Sequence, residues 1–118
     1  MEREAIEDIF AAFGPVSVRR LFGGVGVYAG GVMFALGHSG ELYLKADAEL
    51  VCQLEARGSK PFTYEGKRSI VALGYWSVPA DALDEPEEVA GLARAALAVA
   101  QAARASSAHG RRRSERVR

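Results

Sequence analysis

The sequence predicts an α+β domain in which an antiparallel meander of about five strands is covered by helices. Three observations support this fold class. Glycines interrupt short apolar segments between residues 21 and 45, at the intervals of hairpin turns. Apolar residues recur at helical spacing before this region, after it and again towards the C-terminus. The 118 residues, 49% of them apolar, are enough to form one core without metals or disulfides.

The first predicted helix covers residues 2–13. Acidic residues lie near its N-terminal end, where the helix dipole favours negative charge, and Gly14-Pro15 ends it. Its apolar residues at helical spacing are Ile6, Ile9, Phe10 and Phe13.

Extended chain is predicted next, first from Val16 to Phe22 and then as three strands at about residues 25–29, 31–37 and 41–45. Gly30-Gly31 suits a two-residue hairpin turn, whose central positions require positive φ. His38-Ser39-Gly40 suits a slightly longer turn.

Side chains of a strand point alternately to its two faces. This alternation predicts Val32, Phe34 and Leu36 on one face of the sheet, and Met33 and Ala35 on the other. Similarly, Leu42 and Leu44 alternate with Tyr43 and Lys45. Because one face is strongly apolar, we expect helices to cover it.

A middle helix is predicted from the Asp47 cap to about Arg57, with Gly58 ending it. Phe62–Tyr64 and Lys67–Tyr75 then predict a second hairpin around Glu65-Gly66. Next come a helical turn at Pro79–Leu83 and a long helix that begins at residues 84–87 and loses its apolar pattern after Arg104.

Charge divides the chain into an acidic domain, residues 1–104, and a basic tail, residues 105–118. The domain holds ten Lys and Arg against fourteen Asp and Glu, whereas the tail holds five Arg against one Glu. The tail has no apolar face to bury, so we expect it to be disordered. The single cysteine and the lack of a leader pattern predict a cytoplasmic location. No apolar stretch approaches the roughly 20 residues that span a bilayer, which predicts a soluble protein without a membrane partner.

Four motifs occur in order along the chain. They are Leu21-Phe22-Gly23-Gly24-Val25-Gly26, Leu42-Tyr43-Leu44-Lys45-Ala46-Asp47, Pro61-Phe62-Thr63-Tyr64 and Tyr75-Trp76-Ser77-Val78-Pro79. Together these motifs resemble the TfoX N-terminal domain family. The resemblance covers roughly residues 2–103 and implies a small α+β domain associated with the regulation of natural competence in bacteria. Larger family members carry a second domain, and we expect this chain to be a stand-alone member. The resemblance assigns no catalytic residue.

Other chemistry has weak support in the sequence. The glycines of residues 24–29 fit a loose dinucleotide-binding pattern, but a hairpin rather than a helix is predicted to follow them. Cys52 is expected to be a buried or half-buried structural residue, and one cysteine with two distant histidines lacks the spacing of a zinc site. Asp47 is expected to be a helix cap and Lys45 a solvated strand residue. We therefore expect no cofactor, no metal and no catalytic residue.

The function that the sequence favours is a non-enzymatic regulatory domain that binds a protein partner or a second copy of itself. One alternative is a nucleic-acid-associated protein whose basic tail contacts phosphates. Another is a small enzyme that uses Lys45, Asp47 or Cys52. The predicted contact residues are Arg19, Arg20, Phe22, Arg111, Arg112, Arg113, Arg116 and Arg118.

Overall fold

The computed structural model of the chain describes residues 2–21, 23–63 and 74–117, with side chains described as far as residue 105. Within these described residues, three helices and a five-stranded antiparallel sheet confirm the predicted α+β class. The elements in chain order are α1 (Arg3–Ile9), β1 (Ser17–Leu21), β2 (Gly24–Ala29), β3 (Val32–His38), β4 (Glu41–Lys45), α2 (Ala48–Ala56), β5 (Tyr75–Ser77), a 3₁₀ turn (Ala80–Ala82) and α3 (Pro86–Val117).

The sheet is a meander in which each strand pairs antiparallel with the next strand along the chain, in the order β1-β2-β3-β4-β5. β1 therefore lies at one edge. At the other edge, β5 is joined by an isolated bridge between Pro61 and Trp76. The predicted hairpin around Glu65-Gly66 falls largely on residues 64–73, outside the described residues.

Two tight turns connect β2 to β3 and β3 to β4. Gly30 and Gly31 have φ values of 57° and 80°, which confirms the predicted two-residue turn. The next turn also has two residues, Ser39 (φ 52°) and Gly40 (φ 79°), because His38 pairs with Glu41. The prediction of a longer turn was wrong, because Ser39 adopts the left-handed region and His38 continues the strand.

A β-bulge in β3 changes which side chains face the helices. Val27 pairs with Ala35 and Tyr28 pairs with Met33, so Phe34 is an extra residue in β3. Phe34 and Ala35 consequently both belong to the core beneath the helices. The strict alternation predicted from the sequence was wrong for Ala35.

Beyond the bulge, the alternation continues with its phase shifted by one residue. Leu36 packs with Met33, Phe62 and Tyr75 on the opposite side of the sheet. Leu36 was predicted on the face of Phe34, and the bulge is the reason that it lies on the other. Leu42 and Leu44 in β4 lie in the helix-covered core, as predicted.

Aromatic packing at Phe34 accounts for the position of the bulge. The Phe34 ring lies 5.3 Å from that of Phe10 and 5.2 Å from that of Phe13. Both partners come from the end of α1 and the turn after it. α1 is shorter than the predicted helix over residues 2–13, because the Ala11 and Phe13 amides donate to carbonyls three residues back and tighten the chain before Gly14.

The remaining helices begin as predicted. Asp47 caps α2, with its Oδ1 accepting a 2.9 Å hydrogen bond from the Leu50 amide, and Gly58 follows the end of the helix with φ 93°. α3 begins at Pro86 and runs to Val117, further than the predicted end of the apolar pattern. The division into a domain, residues 1–104, and a tail, residues 105–118, stays a prediction.

Helices α1 and α3 cover one face of the sheet, which we call the covered face, and the opposite side is called the open face. Buried alanines of α3 allow it to lie close to β3 and β4. α2 packs beside them through Leu50 and Leu54, which form a cluster with Trp76. Arg57 joins α2 to the start of α3, with a guanidinium nitrogen 2.6 Å from Glu88 and 3.3 Å from Asp81. Among the described residues, no helix is both long and apolar enough to cross a membrane.

Candidate interaction surface

The two predicted contact residues of β1 lie on opposite faces of the sheet. Arg19 pairs with Gly26 and Arg20 pairs with Val25. Val25 packs against the covered-face core, so alternation places Arg20 on the covered face and Arg19 on the open face. Arg19 and Arg20 are therefore not one basic patch but two separate cations on one exposed strand.

Arg19 stacks on an aromatic ring of the neighbouring strand. Its guanidinium carbon lies 5.2 Å from the centre of the Tyr28 ring, a cation–π geometry. Gly26 lies beneath this contact, and a Cβ there would lie 3.0 Å from the Met33 sulfur and 3.1 Å from the Tyr28 ring. The Tyr28 and Met33 side chains thus lie over the β2 backbone, and both are half-buried.

Arg20 borders a cleft between β1 and the start of α1. The cleft has a volume of about 540 Å³, and its walls include Glu2, Arg3 and Glu4 of the N-terminal segment as well as Val18 and Val25. A second cleft of about 310 Å³ lies beside Val18 and Ser17 and is bounded by Glu7. Among the described residues, neither Arg19 nor Arg20 forms an ion pair. The smaller cleft follows the outer side of β1, whereas the larger cleft lies over the covered face of β1 and β2.

Further along the open face, β4 and β5 bring a lysine over a tyrosine. Lys45 Nζ lies 5.2 Å from the centre of the Tyr75 ring. Burial lowers the pKa of Lys45. Burial, with a smaller effect of Tyr28, raises the pKa of Tyr75 to about 12. The Tyr75 phenol therefore stays neutral at physiological pH. Among the described residues, Arg19 and Lys45 are the cations that stack on rings of the open face.

The centre of the open face is aromatic. The Phe62 ring lies 5.0 Å from that of Tyr43 and 5.4 Å from that of His38, in edge-to-face arrangements. Phe62 is buried, whereas Tyr43 is half-buried. Burial, and to a lesser extent the charge of Glu41, raises the pKa of Tyr43. The described groups of this face are suited to stacking and to apolar contact.

The other sequence-predicted residues are distributed away from this face. Phe22 and Arg118 lie outside the described residues. The backbone of Arg111, Arg112, Arg113 and Arg116 belongs to α3. Cys52 is exposed on α2, so the expectation of a buried or half-buried structural cysteine was wrong. The apolar stripe of α2 is formed by its neighbours, and Cys52 points away from that stripe.

The residues considered for cofactor binding, catalysis or metal binding do not form such sites among the described residues. The glycine pattern of residues 24–29 lies within β2 and leads into a hairpin, as predicted, and no helix follows it. Asp47 acts as the α2 cap rather than facing Lys45 across a site. Among the described residues, no group of three or more His, Cys, Asp or Glu side chains is placed to hold a metal ion.

Comparison with known protein families gives a match that includes all five strands and α2. Residues 8–100 match the family described as the TfoX N-terminal domain. The chain belongs to the TfoX N-terminal domain family. The match begins near the end of α1 and ends within α3, so in this TfoX N-terminal domain the part matched to the family is the sheet, α2 and the first part of α3.

A relative of this TfoX N-terminal domain is the DNA transformation protein TfoX1 of Aliivibrio fischeri. The two are 30% identical over 82 residues, which cover 66% of this chain. The chain spans 39% of the length of that relative.

Sequence reasoning missed two features of the surface of this TfoX N-terminal domain. The stacking of Arg19 on Tyr28 depends on strand register, which the sequence does not state. The acidic wall formed by Glu2 and Glu4 was interpreted only as a helix-dipole effect. The alternation of side chains along a strand was the available signal that Arg19 and Arg20 lie on opposite faces of the sheet.

Proposed function

We propose that the chain is a regulatory domain in bacterial DNA transformation, and that it acts by binding a protein rather than by catalysis. The observation that carries this proposal is the open face of the sheet. Its half-buried Tyr28, Met33 and Tyr43 lie between two cations, Arg19 and Lys45. Aromatic, methionine and arginine side chains are the types enriched in protein interfaces. We infer the process, DNA transformation, from family membership and from the similarity to a DNA transformation protein.

The nature of the face supports a protein partner more than a nucleic acid. Residues 1–104 carry an excess of four acidic groups, which disfavours binding of a phosphate backbone by the domain. Nucleic-acid binding through the tail arginines remains an alternative. Replacing Arg111, Arg112 and Arg113 by glutamine and titrating labelled DNA at two salt concentrations tests it. Salt-sensitive binding that the substitutions abolish would favour it.

A complementation experiment tests the regulatory function. The gene is deleted in its own bacterium, and the frequency of transformation by added DNA is measured with the wild-type chain or a variant supplied in trans. We expect the deletion to lower the frequency and wild type to restore it. Lys45→Glu should fail to restore it, because it reverses a charge of the open face. Arg94→Glu, a charge reversal at an exposed position on α3, is the matched control and should restore it.

Two outcomes would contradict the proposal. An unchanged transformation frequency after deletion would remove the role in transformation. Full restoration by Lys45→Glu, with circular dichroism confirming that both variants are folded, would remove the open face as the contact surface.

A further inference from the structure

The outer edge of β1 has the features of a site that accepts an additional strand. β1 lies at the end of the sheet order and is paired with β2 on one side. Among the described residues, no hydrogen bond is formed by the outer side of this strand. The smaller cleft, of about 310 Å³, is lined by residues 16–19 and follows this edge, while the larger cleft, of about 540 Å³, lies over the covered face of β1 and β2. The edge thus offers free backbone donors and acceptors beside open space.

The side chains of β1 determine the character of the added strand. Val18 and Leu21 are half-buried, while Arg19 and Arg20 are exposed, one on each face. Neither arginine forms an ion pair with a described residue. A neighbouring strand with two consecutive carboxylates would place one opposite each arginine, since consecutive side chains point to opposite faces.

We infer that β1 is a docking edge for an extended acidic segment of a partner protein, which adds to the sheet as a further antiparallel strand. Backbone hydrogen bonds supply the pairing, and two adjacent Glu or Asp residues supply the selectivity for Arg19 and Arg20. The partner residue opposite Val18 is apolar. This inference rests on the proposed function only in requiring a protein partner.

Two other occupants fit the edge less well. A second copy of β1 in antiparallel pairing would bring arginines of the two copies opposite or diagonal to each other, which is repulsive. A nucleic acid would bring a long row of phosphates past Glu2, Glu4 and Glu7, which outnumber Arg3 on the opposite wall of the clefts. A peptide with only two carboxylates brings far less negative charge to this wall.

Fluorescence anisotropy with a synthetic peptide tests the inference on the full chain at low ionic strength. The probe is fluorescein-labelled Leu-Glu-Glu-Val-Thr with blocked ends, written in the order that opposes Ser17–Leu21 antiparallel. We expect it to bind, and the Leu-Gln-Gln-Val-Thr peptide to bind about tenfold more weakly. A peptide methylated on both glutamate amide nitrogens should lose binding, because one of the two must donate to β1.

A charge-reversed variant provides the matched test. The double variant Arg19→Glu/Arg20→Glu should prefer Leu-Lys-Lys-Val-Thr to the glutamate peptide, which a merely damaged protein would not do. Hydrogen exchange followed by NMR should show added protection of β1 amides when the glutamate peptide is bound.

Three results would overturn the inference. They are no binding of the glutamate peptide, equal binding of the methylated peptide, and sedimentation of the free chain as a dimer with its β1 amides already protected. Preferential binding of a DNA oligonucleotide that competes with the peptide would assign the edge to nucleic acid instead. Failure of the transformation experiment with peptide binding intact would reject the proposed function and leave this edge as a binding site.

Discussion

The backbone at Gly24 lies so close to the carbonyl oxygen of Gly37 that a Cβ atom at Gly24 would collide with it. Gly24 begins β2, and Gly37 pairs with the adjacent Val25. The glycine therefore permits the close approach of β2 and β3, and its role is independent of any ligand.

The first prediction concerns this approach. Gly24→Ala should lower the free energy of unfolding by about 1–3 kcal/mol, because the backbone of β3 must move to accept the methyl group. Gly91→Ala is the matched control on α3, where an added Cβ meets nothing within 4 Å. It should raise the free energy of unfolding by about 0.5–1 kcal/mol, since alanine favours helix. Urea denaturation measures the free energy of unfolding of both variants. Equal changes in the two variants would show that the close approach of β2 and β3 does not restrict the side chain at residue 24.

The second prediction concerns the start of α2. Asp47→Ala should lower the free energy of unfolding by about 1 kcal/mol, because the Leu50 amide loses its side-chain acceptor. Asp47→Asn keeps an acceptor and should cost only a fraction of that amount. The measurement is again urea denaturation. A large loss for the asparagine variant would mean that the charge of Asp47, rather than its cap, is what the fold requires.

The third prediction concerns the core beneath the bulge. Phe34→Ala should cost about 3–5 kcal/mol, because its buried ring packs against Phe10 and Phe13. Leu83→Ala removes an apolar side chain that is 41% exposed and should cost much less. Thermal unfolding followed by circular dichroism separates the two variants. Similar losses would place Phe34 outside the main core.

The fourth prediction concerns pH. The pKa of Tyr75 is about 12, against an ordinary value of 10.0. Between these values the unfolded chain binds fewer protons at this residue than the folded chain, so stability falls as pH rises. The loss should reach up to about 2 kcal/mol after allowance for solvent screening, and it should be absent below pH 10.

Tyr75→Phe is the control for this pH effect, because it retains the ring and removes the titrating group. Urea denaturation at a series of pH values between 9 and 12 compares the two proteins. The wild-type protein should lose more stability than the variant over this range. Parallel curves would mean that the Tyr75 phenol ionises as it does in the unfolded chain.

The sequence predicted the fold class because its signals are local. Glycines with positive φ define the turn at Gly30-Gly31, and Asp47 with its following apolar stripe defines α2. These features depend on residues within one turn or hairpin, and the structure confirms them. The family resemblance depends on the same segments and is confirmed as well.

The features that sequence reasoning missed depend on contacts between distant segments. The bulge places Phe34 against Phe10 at the end of α1, and a prediction based on strict alternation of side chains does not include bulges. The stacking of Arg19 on Tyr28 follows from register. Cys52 was predicted to be at least half-buried from its apolar neighbours alone, although α2 presents one side to the core and Cys52 to solvent.

The meander order of the sheet also has a kinetic consequence. β1 to β4 are joined by short connections, so each pairing closes only a small loop and loses little chain entropy. These four strands can pair one after another, whereas β5 and α3 follow α2 in the sequence and pair or pack only after a longer loop has closed. Folding is thus expected to begin in the first half of the chain, with docking of α3 onto β3 and β4 as the later, slower event.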